Sequence, residues 1–158
     1  IEKDTNNFAS YYNLASIWLY YKNKPDSALI MYSKALEFKK DTLLTELLNG
    51  RGTCNLMMDN GVLAKKDFLK VIEIDSNNFE GYINLGDVET FFRNFDKSFY
   101  YYEKALKINP QNPITYISRG FAFYLSGNNN EACKDWEKAI ELGDTSVMND
   151  YINKYCKK

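Results

Sequence analysis

The chain has 158 residues, of which 45% are hydrophobic and 16% aromatic, with 20 basic and 21 acidic side chains. This composition allows a packed core and excludes a disordered chain, and the balanced charge provides no field for a polyanion. The sequence has no run of about 18 apolar residues, so no membrane span is predicted. It also has no His, which excludes Ser-His and Cys-His catalysis and most zinc sites.

The start of the chain repeats a stretch from its middle. Residues 1–15 match residues 72–86 at nine positions. Because residues 72–78 are predicted to end one helix and lead to the next, we expect residues 1–7 to be the tail of a truncated preceding repeat. The alternative is an N-terminal extension that resembles a linker by chance.

A period of 34 residues runs through the rest of the sequence, which is typical of a helical repeat protein. It aligns four columns of residues. Two columns hold small residues: Gly52, Gly86 and Gly120, and then Ala64, Ser98 and Ala132. The third holds the aromatic residues Phe68, Tyr102 and Trp136, and the fourth holds Val71, Ala105 and Ala139. An earlier copy with Ala28, Tyr32 and Ala35 lies 36 residues upstream. This offset predicts two extra residues in 39–44, and a comparison of this copy with its own start predicts one more near 23–25.

Each copy reads as two helices separated by a turn. The apolar spacing in the third copy is helical on both sides of Arg93-Asn94. Residues 127–130 (GNNN) interrupt the fourth copy, and Asn109-Pro110 ends a helix. The small residues predict that paired helices approach closely, with the aromatic residues filling the space beside them.

Charged residues give no sign of catalysis. We expect the acidic residues Asp67, Glu73, Glu131, Asp135 and Glu141 to lie on solvated faces and pair with nearby lysines. Nucleotide-binding glycine motifs and serine-nucleophile motifs do not occur. The densest basic patch is Lys65-Lys66 with Lys70, too small for a phosphate-tracking surface. We therefore predict no enzyme activity, no cofactor, no metal site and no nucleic-acid partner.

The repeated columns resemble the tetratricopeptide repeat. The third copy carries the residues of that pattern at Tyr82, Leu85, Gly86, Tyr102, Ala105 and Pro110, and the fourth at Tyr116, Gly120, Phe123, Ala132, Trp136 and Ala139. Glu89 and Asn55 depart from it in a column that is usually aromatic. The resemblance implies an all-α, right-handed superhelix with repeats at 8–44, 45–78, 79–112 and 113–144, and a C-terminal capping helix at 145–158. The abundance of Asn, Lys, Tyr, Phe and Ile indicates an AT-rich genome. With the resemblance, we expect a bacterial source.

In the resembled family, the first helix of each repeat lines a peptide-binding groove. Carried over, this implies a groove formed by Tyr12, Ser16, Tyr20, Asn49, Thr53, Met57, Ile83, Asp87, Phe91, Ile117, Phe121, Tyr124 and Leu125. The alternative is that Phe91, Phe121 and Leu125 are partly covered by neighbouring helices. Relatives that hold acidic chaperone tails use a clamp of Lys, Asn and Arg. The matching positions here are Asn49, Thr53, Asn84, Ile114 and Ser118, so that ligand is not expected.

The resemblance implies a non-catalytic protein-interaction scaffold that binds a peptide segment or partner subunit. The alternative function is a structural segment of a longer solenoid without its own ligand, which self-associates through its truncated N-terminal edge. Size that depends on concentration would favour the alternative.

The cysteines bear on the capping helix. The resembled fold turns Cys133 toward the following helix, whose end carries Cys156, so these two residues are candidates for a disulfide. Two buried thiols are the alternative. A bridge would indicate an oxidising compartment and an exported, for example periplasmic, protein. Cys54 is expected to remain a free thiol.

Overall fold

A computed structural model describes residues 2–38, 43–143 and 148–156, and these residues form helices and turns without a strand. The helices are α1 (Glu2–Ser16), which continues into a π-helical turn (Ile17–Tyr21), α2 (Pro25–Leu36), α3 (Leu44–Met57), α4 (Gly61–Ile74), α5 (Phe79–Phe91), α6 (Phe95–Ile108), α7 (Pro113–Leu125), α8 (Asn129–Glu141) and α9 (Met148–Tyr155). The all-α prediction is confirmed. The two extra residues expected in 39–44 fall mostly outside the described residues.

The chain divides into two compact units, residues 1–76 and 77–158. In the first unit, α1–α2 and α3–α4 are helix pairs, α2 packs on α3, and α1 also contacts α3. In the second, α5–α6 and α7–α8 are pairs, α6 packs on α7, α5 contacts α7, and α9 packs on α8. Each unit is thus two stacked helix pairs, as the repeat pattern predicts.

The turn inside every helix pair uses the same backbone conformation. The residue two positions before the second helix has a positive φ in all four pairs: Asn23 (48°), Asp59 (60°), Arg93 (59°) and Gly127 (88°). Two Asx-type residues and a Gly adopt this left-handed region with little strain, whereas Arg93 does so against its preference. The predicted breaks at Arg93-Asn94 and at Gly127 are therefore confirmed.

Glycines on the first helices allow aromatic rings from the second helices to pack against the backbone. A Cβ placed on Gly52 would lie 2.5 Å from the Phe68 ring, and one on Gly86 would lie 2.5 Å from the Tyr102 ring. Gly120 faces the indole of Trp136 in the same way. These rings are almost completely buried, so the close helix approach expected from the small-residue columns is confirmed.

The first pair contains one residue more than the others, and the structure accommodates it within a helix. The N–H of Lys22 donates to the carbonyl of Ile17 (3.1 Å), which is the i→i+5 bond of a π turn. The backbone hydrogen bond that closes the turn of this pair runs from the N–H of Lys24 to the carbonyl of Trp18 (2.9 Å), six positions apart in the sequence. The equivalent bonds, Asn60 to Asn55 and Asn94 to Glu89, join residues five positions apart. The sequence predicted the extra residue near 23–25, whereas the helix itself absorbs it.

The beginning of the chain also differs from its internal match. Helix α1 is continuous from Glu2 to Ser16, although residues 72–78, which it resembles, contain the end of α4 at Ile74 and the turn before α5. Residues 2–16 contain neither Pro nor Gly, so nothing in the backbone requires a break at Asn7.

Candidate peptide-binding walls

The first unit places six of the expected groove residues on α1, its π turn and α3. Two of them form side-chain hydrogen bonds to the backbone four residues earlier: the hydroxyl of Ser16 donates to the carbonyl of Tyr12 (3.1 Å), and that of Thr53 donates to the carbonyl of Asn49 (2.9 Å). Two others are open to solvent, since Tyr20 is 70% and Met57 49% exposed. We refer to Tyr12, Ser16, Tyr20, Asn49, Thr53 and Met57 as the first wall.

The second unit places the other expected residues on α5 and α7. We refer to Asp87, Phe91, Ile117, Phe121, Tyr124 and Leu125 as the second wall. Ile83 differs from the expectation, because it is 5% exposed and packs in a buried cluster with Tyr102, Ala105 and Ala122. Its side chain belongs to the core of the unit and is not accessible to a ligand.

Asp87 connects three helices of the second unit. Its carboxylate accepts a hydrogen bond from the hydroxyl of Tyr102 on α6 (2.7 Å) and one from Ser118 on α7. Burial raises the pKa of Asp87 to about 6, and these two hydrogen bonds limit the rise. The hydroxyl of Thr90 lies 3.3 Å from that of Tyr102 and 2.6 Å from that of Ser98, which extends the network. Asp87 is thus a structural member of the wall.

The aromatic end of the second wall is supported by the core of the last pair. The rings of Phe121 and Tyr124 lie 5.4 and 6.0 Å from the Trp136 ring, and Tyr124 also meets Tyr155 of α9 at 4.9 Å. Both side chains are half-buried, so the alternative that neighbouring helices partly cover the wall holds for Phe121. Tyr124, which that alternative did not include, is covered in the same way. Phe91 and Leu125 remain 44% and 45% exposed.

One repeat position is apolar and exposed in all four pairs. It lies five residues after the small residue of the first helix and is occupied by Tyr20, Met57, Phe91 and Leu125. These side chains are between 44% and 70% exposed, while the aromatic column of the second helices is buried. Aromatic and aliphatic side chains that a fold leaves exposed are available to anchor a partner.

Two buried ion pairs were not predicted from the sequence. The guanidinium of Arg51 donates two hydrogen bonds to Asp67 (2.9 and 2.6 Å), and that of Arg119 donates two to Asp135 (both 2.7 Å). Asp67 and Asp135 are 4% and 5% exposed, so the expectation that they lie on solvated faces is wrong. The signal in the sequence is an Arg before the helix glycine with an Asp 16 residues later, once in repeat two and again in repeat four.

The remaining acidic residues follow the expectation. Glu73 pairs with Lys70 (2.9 Å), Glu131 with Lys134 (2.6 Å) and Glu141 with Lys138 (2.9 Å). All three pairs are exposed and three residues apart on one helix, so each contributes little to the stability of the fold. In the described part of the chain, no three His, Cys, Asp or Glu side chains gather into a group that could hold a metal ion.

The capping helix is joined covalently to the last pair. Cys133 on α8 and Cys156, directly after α9, form a disulfide with their Cα atoms 5.7 Å apart. Ile152 and Tyr155 of α9 pack against the cluster that contains Trp136. Cys54 is buried and free, and burial raises the pKa of its thiol to about 12. Val147 and the side chains of Met148 and Tyr151, which the sequence assigned to the cap, lie outside the described residues.

Among the described helices, none is both long and apolar enough to cross a membrane.

Comparisons with known proteins agree with this architecture. Residues 79–112 match the family model described as tetratricopeptide repeat. Anaphase-promoting complex subunit 6 of Dictyostelium discoideum is 31% identical over 71 residues, which are 45% of this chain and 8% of that protein. The chain therefore spans a small part of the length of this relative.

Solved structures share the fold over nearly the whole chain. A thermophilic tetratricopeptide repeat protein of Thermus thermophilus has a TM-score of 0.85 and 17% identity, covering 94% of this chain and 80% of that one. YrrB, described as a tetratricopeptide repeat protein with an unusual peptide-binding site, has a TM-score of 0.69 and 18% identity, covering 97% of this chain and 77% of its own. At these identities the likeness is one of fold.

Proposed function

We propose that the chain, whose residues 79–112 match the tetratricopeptide repeat model, is a non-catalytic scaffold that binds an extended or helical peptide segment of a partner protein. The repeated exposed position carries this proposal. Tyr20 and Met57 in the first wall, and Phe91 and Leu125 in the second, each offer an apolar side chain to solvent. A solenoid that used these residues only for packing would bury them, as it buries the aromatic column of its second helices.

The chemistry of the walls indicates the kind of peptide. Cations do not occur among the residues of either wall, so a carboxylate-rich ligand such as an acidic chaperone tail would be held poorly. Aromatic and aliphatic anchors flanked by hydroxyl and amide groups favour a peptide with apolar side chains at regular spacing and few charges. YrrB supports the peptide class of ligand, since its description names a peptide-binding site.

The test replaces an exposed wall residue that supports no core contact. Phe121 is unsuitable because its ring packs on Trp136 (5.4 Å). Phe91→Asp alters an anchor of the second wall, and Tyr100→Asp is the matched control, since Tyr100 is 55% exposed on α6, a second helix. Peptides selected from a random phage-displayed library on the native protein are then measured against both variants by fluorescence anisotropy.

We expect Phe91→Asp to weaken the selected peptides at least tenfold and Tyr100→Asp to leave them within twofold. Equal affinity for both variants would refute wall binding. A structural, self-associating segment is the competing function. Its mark is a size in light scattering that grows with protein concentration, together with no peptide recovered from the library.

A further inference from the structure

The disulfide between Cys133 and Cys156 can be reached from solvent. Both residues are partly exposed and line an open concavity of about 620 Å³, whose other lining residues are Asn129, Asn130, Glu131, Lys134 and Tyr155. Cys54, in contrast, is buried. Because the rate of thiol–disulfide exchange depends on access to the sulfur atoms, the bridge is open to attack by a thiol while the protein remains folded.

The capping helix α9 relies on this bridge. It has only eight residues, fewer than the roughly 12 to 15 that an isolated helix needs. Helix α3, which packs on α2 as α9 packs on α8, has 14 residues and also pairs with α4. Among the described side chains of the cap, Ile152, Tyr155 and Cys156 pack on the cluster that contains Trp136. Opening the bridge would free a chain segment whose ends are now joined across 23 positions, so α9 would gain conformational freedom.

The cap also supports a residue of the second wall. The ring of Tyr124 lies 4.9 Å from that of Tyr155 and 6.0 Å from that of Trp136, so it packs against two rings. Tyr155 directly precedes Cys156, and a movement of the bridged end of the cap therefore moves this ring. A binding residue that is already held in one orientation loses less conformational entropy when a ligand binds.

The other repeats show that a covalent bond is not required at this position. Leu29, Lys65 and Phe99 occupy it in repeats one to three. Leu29 packs against the buried cluster of the first unit, and the ring of Phe99 stacks on that of Phe123, on the following helix, at 4.3 Å. A reductant cannot open these apolar contacts. Repeat four places at the same position a bond that a thiol can break.

From these contacts we propose that the bridge between Cys133 and Cys156 is a redox switch for the second wall. A dithiol reductant opens it in the folded protein, α9 loosens from α8, and Tyr124 loses the support of Tyr155. The consequence for ligand binding, a weaker hold on peptides, rests on the proposed function.

The exchange needs no reactant other than the dithiol. Its first thiolate attacks one sulfur of the bridge, breaks the S–S bond and forms a mixed disulfide, and its second thiolate then displaces the protein sulfur. Two electrons and two protons pass to Cys133 and Cys156, which become thiols, and the reductant leaves as a disulfide. An oxidant that accepts two electrons reverses the change.

The experiment treats the full folded chain with dithiothreitol, a small dithiol. Reactive thiols are counted without denaturant, hydrogen exchange measures the protection of residues 148–156, and ¹³C–¹H spectra of tyrosine-labelled protein report on the ring of Tyr124. Cys133→Ser combined with Cys156→Ser gives a permanently open variant, which is also the control for side effects of the reductant. Tyr155→Ala removes the contact with Tyr124 while the bridge stays closed.

We expect the thiol count of the folded protein to rise from zero to two, since Cys54 stays buried. Exchange in residues 148–156 should accelerate at least tenfold, and the ring signals of Tyr124 should shift. The open variant should show the same exchange and ring signals without reductant, and should not respond to it. The proposal is overturned if dithiothreitol reduces the bridge only in denaturant, or if exchange and ring signals are unchanged once it is open.

Peptide affinity separates the switch from the proposed function. Peptides that Phe91→Asp weakens should bind about three- to tenfold more weakly to the open variant and to Tyr155→Ala, because Tyr124 must be ordered again on binding. Unchanged affinity in both variants would refute control of the wall through Tyr124. If no peptide binds the native protein, the proposed function fails, and the exchange and ring signals still decide whether the bridge controls the shape of the wall.

Discussion

Substituting Gly86 by Ala tests how closely the paired helices are packed. In an exposed helix interior, Gly→Ala stabilises by about 1 kcal/mol because Ala has the higher helix propensity. At Gly86 the added Cβ would lie 2.5, 2.7 and 2.8 Å from three carbons of the Tyr102 ring. The ring cannot move away freely, because it is 1% exposed and its hydroxyl donates to Asp87 at 2.7 Å.

The magnitude follows from these contacts. Overpacking costs about 1 to 3 kcal/mol, and losing the hydrogen bond to the carboxyl of Asp87 costs about 1.5 to 3 kcal/mol. After the propensity gain, Gly86→Ala should destabilise the protein by about 2 to 4 kcal/mol. Gly52→Ala should cost about 1 kcal/mol, because the ring of Phe68 has no hydroxyl that holds it in place and can shift.

The assay is guanidinium unfolding followed by circular dichroism. With a slope of roughly 4 kcal/mol/M, a loss of about 3 kcal/mol lowers the midpoint by about 0.7 M. A double-mutant cycle with Tyr102→Leu provides the control, since removing the ring should make Gly86→Ala neutral or stabilising. The reasoning is refuted if Gly86→Ala is as stable as the native chain, or if its cost persists without the ring.

Two further predictions concern titration and the disulfide. The pKa of Asp87 is about 6 in the folded chain and 3.8 ordinarily, so the folded state holds a proton that the unfolded chain releases between these values. The free energy of unfolding should therefore fall by on the order of 2 to 3 kcal/mol as pH rises from about 4 to about 7. Asp87→Asn should lack this part of the pH dependence. Parallel curves of unfolding free energy against pH for the two proteins would contradict the prediction. Counting thiols in denatured, unreduced protein should give one reactive group, Cys54, whereas three would show that Cys133 and Cys156 are not bridged in solution.

The repeat period predicts the elements of this fold because each element repeats its local signals. Helix pairing, the turns at Arg93 and Gly127, and the contact between glycines and aromatic rings follow from residue size and spacing alone. The spacing of the repeats shows that the first pair has an extra residue, but it does not show at which position the residue is inserted. Whether a turn or a helix absorbs the residue depends on backbone hydrogen bonds, here the π turn at Ile17–Tyr21.

The candidate site is harder to predict from the sequence than the fold, because the exposure of a side chain depends on which residue of a neighbouring helix packs against it. Ile83 occupies a groove position in the resembled family, yet it is buried here since the small Ala122 on α7 belongs to the same cluster. Asp67 and Asp135 lie among lysines in the sequence, but their partners are arginines on another helix. Local spacing favours partners three or four residues away and misses a partner 16 residues away.

The bond between Cys133 and Cys156 also determines how the end of the chain carries mechanical load. Tension applied beyond Cys156 passes through the sulfur atoms directly into α8, so the segment between the two cysteines, with most of α8 and all of α9, bears none of it. That segment represents a hidden contour length of roughly 75 Å, at about 3.4 Å per extended residue. The last helix can therefore remain folded while the rest of the chain is stretched, and a dithiol reductant would release the stored length.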